Sequence, residues 1–72
     1  MNIKIVYCVP CGYLPFAENL KKTIEGHNKN AKVILEGGKN GILDVYVDNQ
    51  LIFSKHKEGR RPEINEILDK VK

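Results

Sequence analysis

The side chains best placed to do chemistry are two cysteines, in the run Cys8-Val9-Pro10-Cys11-Gly12. Two intervening residues bring the sulfurs close enough to form a disulfide, and Pro10 constrains the turn between them. The run falls where a strand gives way to a helix. Unsatisfied backbone N–H groups at a helix N-terminus stabilise a thiolate, lowering its pKa from about 8.5 towards neutrality. Attack by such a thiolate on a substrate disulfide gives a mixed disulfide, which the second cysteine resolves. No acidic residue stands close in sequence to oppose the ionisation, and the rings of Tyr7 and Tyr13 are placed to form an apolar rim.

Two other readings of the pair stay open. Two thiolates can hold a soft ion such as copper(I) or zinc, or a metalloid, as a carrier would. A structural zinc needs about four ligands, however, and neither His27 nor His56 has ligand-like spacing to the cysteines. The disulfide could also gate a docking surface, making the chain a redox-regulated binding module with no substrate turned over.

The elements that position the pair follow from periodicity. Residues 2–7 are β-branched and aromatic and read as a strand. Tyr13, Phe16, Ala17, Leu20 and Ile24 recur at helical spacing, with Glu18, Lys21, Lys22 and Glu25 turned the other way, and Pro15 falls in the first turn, where a missing N–H costs little. Gly26 and His27–Asn30 end this helix. Ala31 to Glu36 is a second strand, closed by Gly37-Gly38 and by Asn40-Gly41, all read as turns. Ile42–Val47 and Gln50–Ser54 form a hairpin, because Asp48-Asn49 tolerates the positive φ of a tight turn. A basic loop, Lys55–Arg61, follows. Pro62 suits the first position of a last helix whose stripe is Ile64, Ile67, Leu68 and Val71. The order is β-α-β-β-β-α. The first two strands flank a crossover helix and should be parallel, the later hairpin antiparallel. The predicted fold is a single α/β (α+β sandwich) domain over residues 1–72, a four-stranded mixed sheet with two helices packed on it.

Size and composition agree. Seventy-two residues with 42% hydrophobic and 29% charged residues describe one small soluble domain. Lys55, Lys57, Arg60 and Arg61 against Glu58 account for the whole net charge of +3. Basicity confined to one loop argues against a nucleic-acid module, which spreads cations over a face. It suits docking of an acidic partner or of glutathione carboxylates. Two cysteines are too few for a secreted disulfide scaffold, no aliphatic run approaches a membrane span, and Lys4 interrupts any leader-like stretch. The expectation is a cytoplasmic protein with no nucleic-acid or membrane partner.

Ile5-Val6-Tyr7-Cys8-Val9-Pro10-Cys11-Gly12-Tyr13, Ala17 to Leu20, Asp44 to Lys55, and Gly59 with Pro62-Glu63 form a pattern. In these segments the chain resembles the selenoprotein W (Rdx) family. The resemblance implies a thioredoxin-like fold and thiol–disulfide redox work through Cys8 and Cys11 on thiol, disulfide or client-protein substrates. It implies no bound cofactor, with glutathione as reductant or co-substrate. Selenium-containing members carry selenocysteine at the position matched by Cys11, so this chain is similar to the cysteine-containing members. By that resemblance Cys11 is the more reactive atom, whereas general thioredoxin logic favours Cys8. Arg61 stands where bacterial relatives often have an aromatic residue. None of Pro10, Pro15 and Pro62 is placed to supply thioredoxin's cis-proline.

Overall fold

The computed structural model describes residues 1–70. The elements are β1 (Asn2–Cys8), α1 (Leu14–His27), β2 (Lys32–Gly38), β3 (Leu43–Val47), β4 (Gln50–Ser54), α2 (Lys55–Glu58) and α3 (Ile64–Lys70). The sheet order is β2-β1-β3-β4. β1 pairs β2 in parallel from Asn2↔Lys32 to Cys8↔Gly38 and β3 antiparallel from Ile3↔Val47 to Tyr7↔Leu43. The parallel crossover and the antiparallel hairpin are as the sequence predicts. So is the β-α-β-β-β-α frame of a thioredoxin-like fold, with α2 added as a single turn inside the basic segment.

Alternation along each strand decides which residues reach the core. Ile3 and Ile5 of β1, Val33 of β2, Leu43 and Val45 of β3 and Phe53 of β4 point to one face. Ala17, Leu20 and Ile24 of α1 and Ile67 of α3 complete the cluster against it. Tyr13, Phe16, Ile64 and Leu68 pack at its margin, so the two predicted helical stripes are core stripes. Val71 lies outside the described residues. The hairpin turn has positive φ at Asp48 (48°) and Asn49 (71°), as tight pairing requires. A register shift between Val45 and Tyr46 sets Tyr46 opposite Leu51 and leaves Ile52 as the extra residue. Its carbonyl accepts a hydrogen bond from Lys70 Nζ at 2.9 Å.

Three local readings are corrected. Gly37-Gly38 is the end of β2 and not a turn, paired with Tyr7 and Cys8; the reversal comes at Asn40 and Gly41, both at positive φ. The basic segment is not an open loop throughout. The Ser54 hydroxyl accepts from the Lys57 N–H at 3.5 Å, and Gly59, at φ 72°, donates to the Lys55 carbonyl at 2.8 Å. A capped turn of helix results.

The third concerns Pro62, which does not open α3. It is buried one residue ahead of Glu63, whose carbonyl accepts from the N–H groups of Glu66 and Ile67. The Glu66 carboxylate reaches back to the Glu63 N–H at 2.9 Å, the N3-to-N-cap half of a capping box. Pro62 and Ile67, both buried, occupy the positions of a hydrophobic staple around it. Proline suits N1 because it needs no N–H donor there; the carboxylate three residues into the helix is the stronger start signal.

Two outcomes are expected. Leu20→Ala removes a fully buried side chain from the helix–sheet contact and should cost about 2–5 kcal/mol in urea unfolding. That is a large share of what a domain this size holds, on the order of 5 kcal/mol. The second concerns acid. The Arg60 guanidinium, with help from the Glu63 N–H, holds Glu66 at about 2, below its ordinary 4.5. A depressed carboxylate stabilises the fold above its unfolded pKa and loses that effect as pH falls towards the folded one. Stability should therefore fall between pH 4.5 and 2, and Glu66→Gln should flatten that part of the profile.

Candidate redox site

β1 delivers Cys8 to the end of the sheet, and a turn carries the chain from there to α1. The turn is closed by the Gly12 N–H donating to the Val9 carbonyl at 3.1 Å, with Pro10 in the position whose φ it pre-sets. Gly12 leaves the turn at φ 76°, a conformation that an L side chain strains to adopt. The Tyr13 N–H then donates to the Cys8 carbonyl at 3.4 Å, and the Val9 N–H donates to the Gly38 carbonyl at 3.0 Å. Both ends of the turn are thereby tied to the strands.

A disulfide joins Cys8 and Cys11, whose Cα atoms lie 5.3 Å apart. The two sulfur-bearing residues sit in opposite surroundings. Cys8 is fully buried, while Cys11 is exposed on the turn. The sequence places the pair but does not separate the two roles, because burial of Cys8 depends on residues distant in sequence, such as Ile42 beside its partner Gly38.

By strand alternation Cys8 shares a face with Lys4 and Val6, away from the helices. Tyr7 packs on the helix side. The expected rim of two tyrosines around the sulfurs is therefore not formed as a pair: Tyr7 is on the other face, and Tyr13 is the N-cap residue of α1. The residues lying against this end of the sheet are Ile42 and Val9. A Cβ on Gly38 would meet Ile42 Cγ2 at 2.6 Å and Val6 Cγ1 at 3.3 Å, and one on Gly37 would meet Val9 Cγ2 at 2.9 Å. The two glycines, read from sequence as chain reversals, are needed because other side chains close over them. The signal was their position opposite Tyr7 and Cys8, which only the register reveals.

α1 begins at Leu14, three residues beyond Cys11, with Pro15 in its first turn as expected. No side chain caps its N-terminus and no acidic residue lies in its first turn. Its partial positive charge is left uncompensated from within the helix. Two cations of the basic segment pack onto the same end. Lys55 Nζ lies 5.9 Å from the centre of the Tyr13 ring, and the Arg61 guanidinium 5.8 Å from that of Phe16.

Lys57 is exposed. Arg60 is committed elsewhere: it grips both carboxylate oxygens of Glu66, at 2.6 and 3.0 Å, and lies 5.5 Å from the Phe53 ring centre. Of the four cations read as a docking patch, three stand at the start of α1 or face solvent, and Arg60 is spent on an exposed ion pair with Glu66.

Among the described residues, no group of three or more His, Cys, Asp and Glu side chains is placed to hold a metal ion. A groove of about 370 Å³ opens on the helix-free face, lined by Asn2, Lys4, Lys32, Ile34, Tyr46 and Asn49. None of its lining residues belongs to the cysteine turn, so it is a separate feature. Among the described residues, no helix is long and apolar enough to cross a membrane.

A thioredoxin-like sheet whose first strand ends in one cysteine, with its partner on the turn into the first helix, defines the class of the molecule. Residues 2–72 match the model of the Rdx family, and the chain belongs to that family. It is similar in structure to a selenoprotein W-related protein from Vibrio cholerae, with a TM-score of 0.89 and 19% identity, over 97% of this chain and 90% of the other. A protein of Bordetella parapertussis matches with a TM-score of 0.92 and 21% identity, over 97% and 91%. Among curated proteins it is 26% identical over 76 residues to migration and invasion enhancer 1 of Mus musculus and, equally, of Bos taurus. The chain spans 63% of the length of those relatives.

The geometry makes an expectation for the reduced protein. Iodoacetamide should modify Cys11 first in the folded state, and Cys8 should follow only on unfolding, as peptide mass mapping over a time course would read. Equal rates at the two positions would contradict the burial difference.

Proposed function

We propose that the chain is a thiol–disulfide redox protein in which Cys11 exchanges with substrate and Cys8 resolves. The observation that carries the reading is the division of the pair between an exposed turn and a buried strand end. In the reducing direction the Cys11 thiolate attacks one sulfur of a substrate disulfide, and the other substrate sulfur leaves as a thiolate. Cys8, having lost its proton to solvent, then attacks the Cys11 sulfur. The bond between Cys11 and substrate breaks, the second substrate thiolate departs, and the Cys8–Cys11 disulfide forms. The substrate gains two electrons and the pair loses two. Two glutathione thiols, becoming one glutathione disulfide, restore the dithiol.

Three features support this order of events. An incoming disulfide reaches an exposed sulfur far more readily than one enclosed by strand neighbours. The uncapped start of α1 and the cations Lys55 and Arg61 favour negative charge at that end of the molecule. Cys8, held by the ladder through its own pairing with Gly38, keeps a fixed position from which to attack. The same cations, with Lys57, suit the carboxylates of glutathione or an acidic stretch of a client protein.

The trap experiment is direct. Cys8→Ser should retain mixed disulfides with glutathione or client proteins, because nothing resolves them, whereas Cys11→Ser should form none. Non-reducing electrophoresis and mass spectrometry read both. Mixed disulfides on Cys8 of the Cys11→Ser protein would reverse the assignment, and none on either variant would contradict the redox reading.

A further inference from the structure

β2 is the terminal strand of the sheet, so one of its edges has no strand beside it. The Lys32 N–H donates to the Met1 carbonyl at 2.9 Å, and the Gly38 carbonyl accepts from Val9. The even-numbered residues of β2 therefore direct their backbone groups to β1. Alternation leaves those of Val33, Leu35 and Gly37 pointing outward.

The side chains on the helix-free face of this strand are Lys32, Ile34 and Glu36, all exposed. Ile34, at 60%, is the most exposed large hydrophobic residue among those described. Its neighbour across the ladder, Lys4, lies 5.2 Å from the centre of the Tyr46 ring and leaves it uncovered.

We propose that this edge pairs with the same edge of a second copy of the chain, antiparallel, about a two-fold axis through Ile34. Three features of the strand select this register. Outward-facing backbone groups must meet outward-facing ones, which sets Val33 opposite the second copy's Leu35, and each such pair exchanges two hydrogen bonds. Ile34 then faces its own counterpart in a non-hydrogen-bonded pair, the type in which side chains approach closest. Lys32 faces Glu36 on both sides of the axis, two opposite-charge pairs from one symmetric spacing.

Neighbouring registers fail on the same criteria. An axis at Leu35 sets Ile34 against Glu36, and an axis at Val33 sets Ile34 against Lys32. A parallel in-register pairing opposes Lys32 to Lys32. A lysine on an edge strand ordinarily discourages pairing. Here Glu36, equally distant from Ile34 on the other side, turns that charge into a code for the chain itself. The two sheets join into one of eight strands with the helices of both copies on one side. The contact is small, below the roughly 1,200 Å² of a standard interface, so association is concentration-dependent.

Sedimentation equilibrium over a rising concentration series tests this, with the Cys8–Cys11 disulfide intact so that free thiols do not link copies. The wild-type mass should climb from 8.2 kDa towards twice that value. Lys32→Glu and Glu36→Lys each oppose like charges and should weaken self-association about tenfold or more. An equimolar mixture of the two variants restores opposite charges across the axis and should associate at least as well as wild type. Ile34→Lys should remain monomeric, and circular dichroism should show all variants folded alike. A wild-type mass that stays at 8.2 kDa throughout would overturn the proposal. So would charge-reversed variants that associate like wild type, or a mixture no better than its components.

Discussion

The site depends on one constraint: β1 is gripped by backbone hydrogen bonds from β2, all the way to its last residue, and from β3 almost as far. A strand with a neighbour on each side has no free edge, and a cysteine at its end has little room to move. Cys8 is consequently fixed, and it is buried where the side chains of Val6 and Ile42 crowd the Gly38 opposite it. The tight turn that follows carries Cys11 back to within disulfide reach but leaves it in solvent. A small fold thus obtains two chemically different thiols from one short motif. Adjacent features serve the same arrangement. Gly37 and Gly38 carry no side chains, so Val9, Val6 and Ile42 can close around the strand end. The Val9 and Tyr13 amides anchor both sides of the turn.

The second layer of the structure steadies the start of α1. α3 and the segment before it hold the far side of the sheet through Ile67 and Phe53, and the Arg60–Glu66 pair ties the loop to the helix it precedes. That pair is exposed, and its energetic weight is accordingly modest. Its structural effect is to fix which cations remain free: Arg60 becomes part of the helix cap while Lys55 and Arg61 lie over the rings of Tyr13 and Phe16. Positive charge is thereby placed at the same end of the helix as the exposed sulfur.

Much of the architecture was legible in the sequence because its signals were local. The β-branched run ahead of Cys8, the helical spacing of Phe16, Ala17, Leu20 and Ile24, and the Asp48-Asn49 turn each carry their own conformational preference. The same holds for the cysteine pair between strand and helix. What was not legible depended on partners distant in sequence. Glycine pairs announce turns locally, yet Gly37-Gly38 extends a strand because the neighbouring side chains need the space. Pro62 is a good first residue for a helix, yet a carboxylate at Glu66 sets the start two residues later. Arg60 looks like its basic neighbours until Glu66 is brought beside it. The tyrosines flanking the motif are separated by strand alternation, which assigns Tyr7 and Cys8 to opposite faces. Burial of Cys8 against exposure of Cys11 belongs to the same group, since nothing in a CxxC run states which sulfur the sheet will enclose.

The most direct measurement is equilibration of the purified protein in glutathione redox buffers, with mass spectrometry of acid-quenched samples. The dithiol and the Cys8–Cys11 disulfide should interconvert reversibly across the series, with any trapped glutathione adduct located on Cys11. A pair that stays in one state at every ratio, or an adduct found on Cys8, would contradict this expectation.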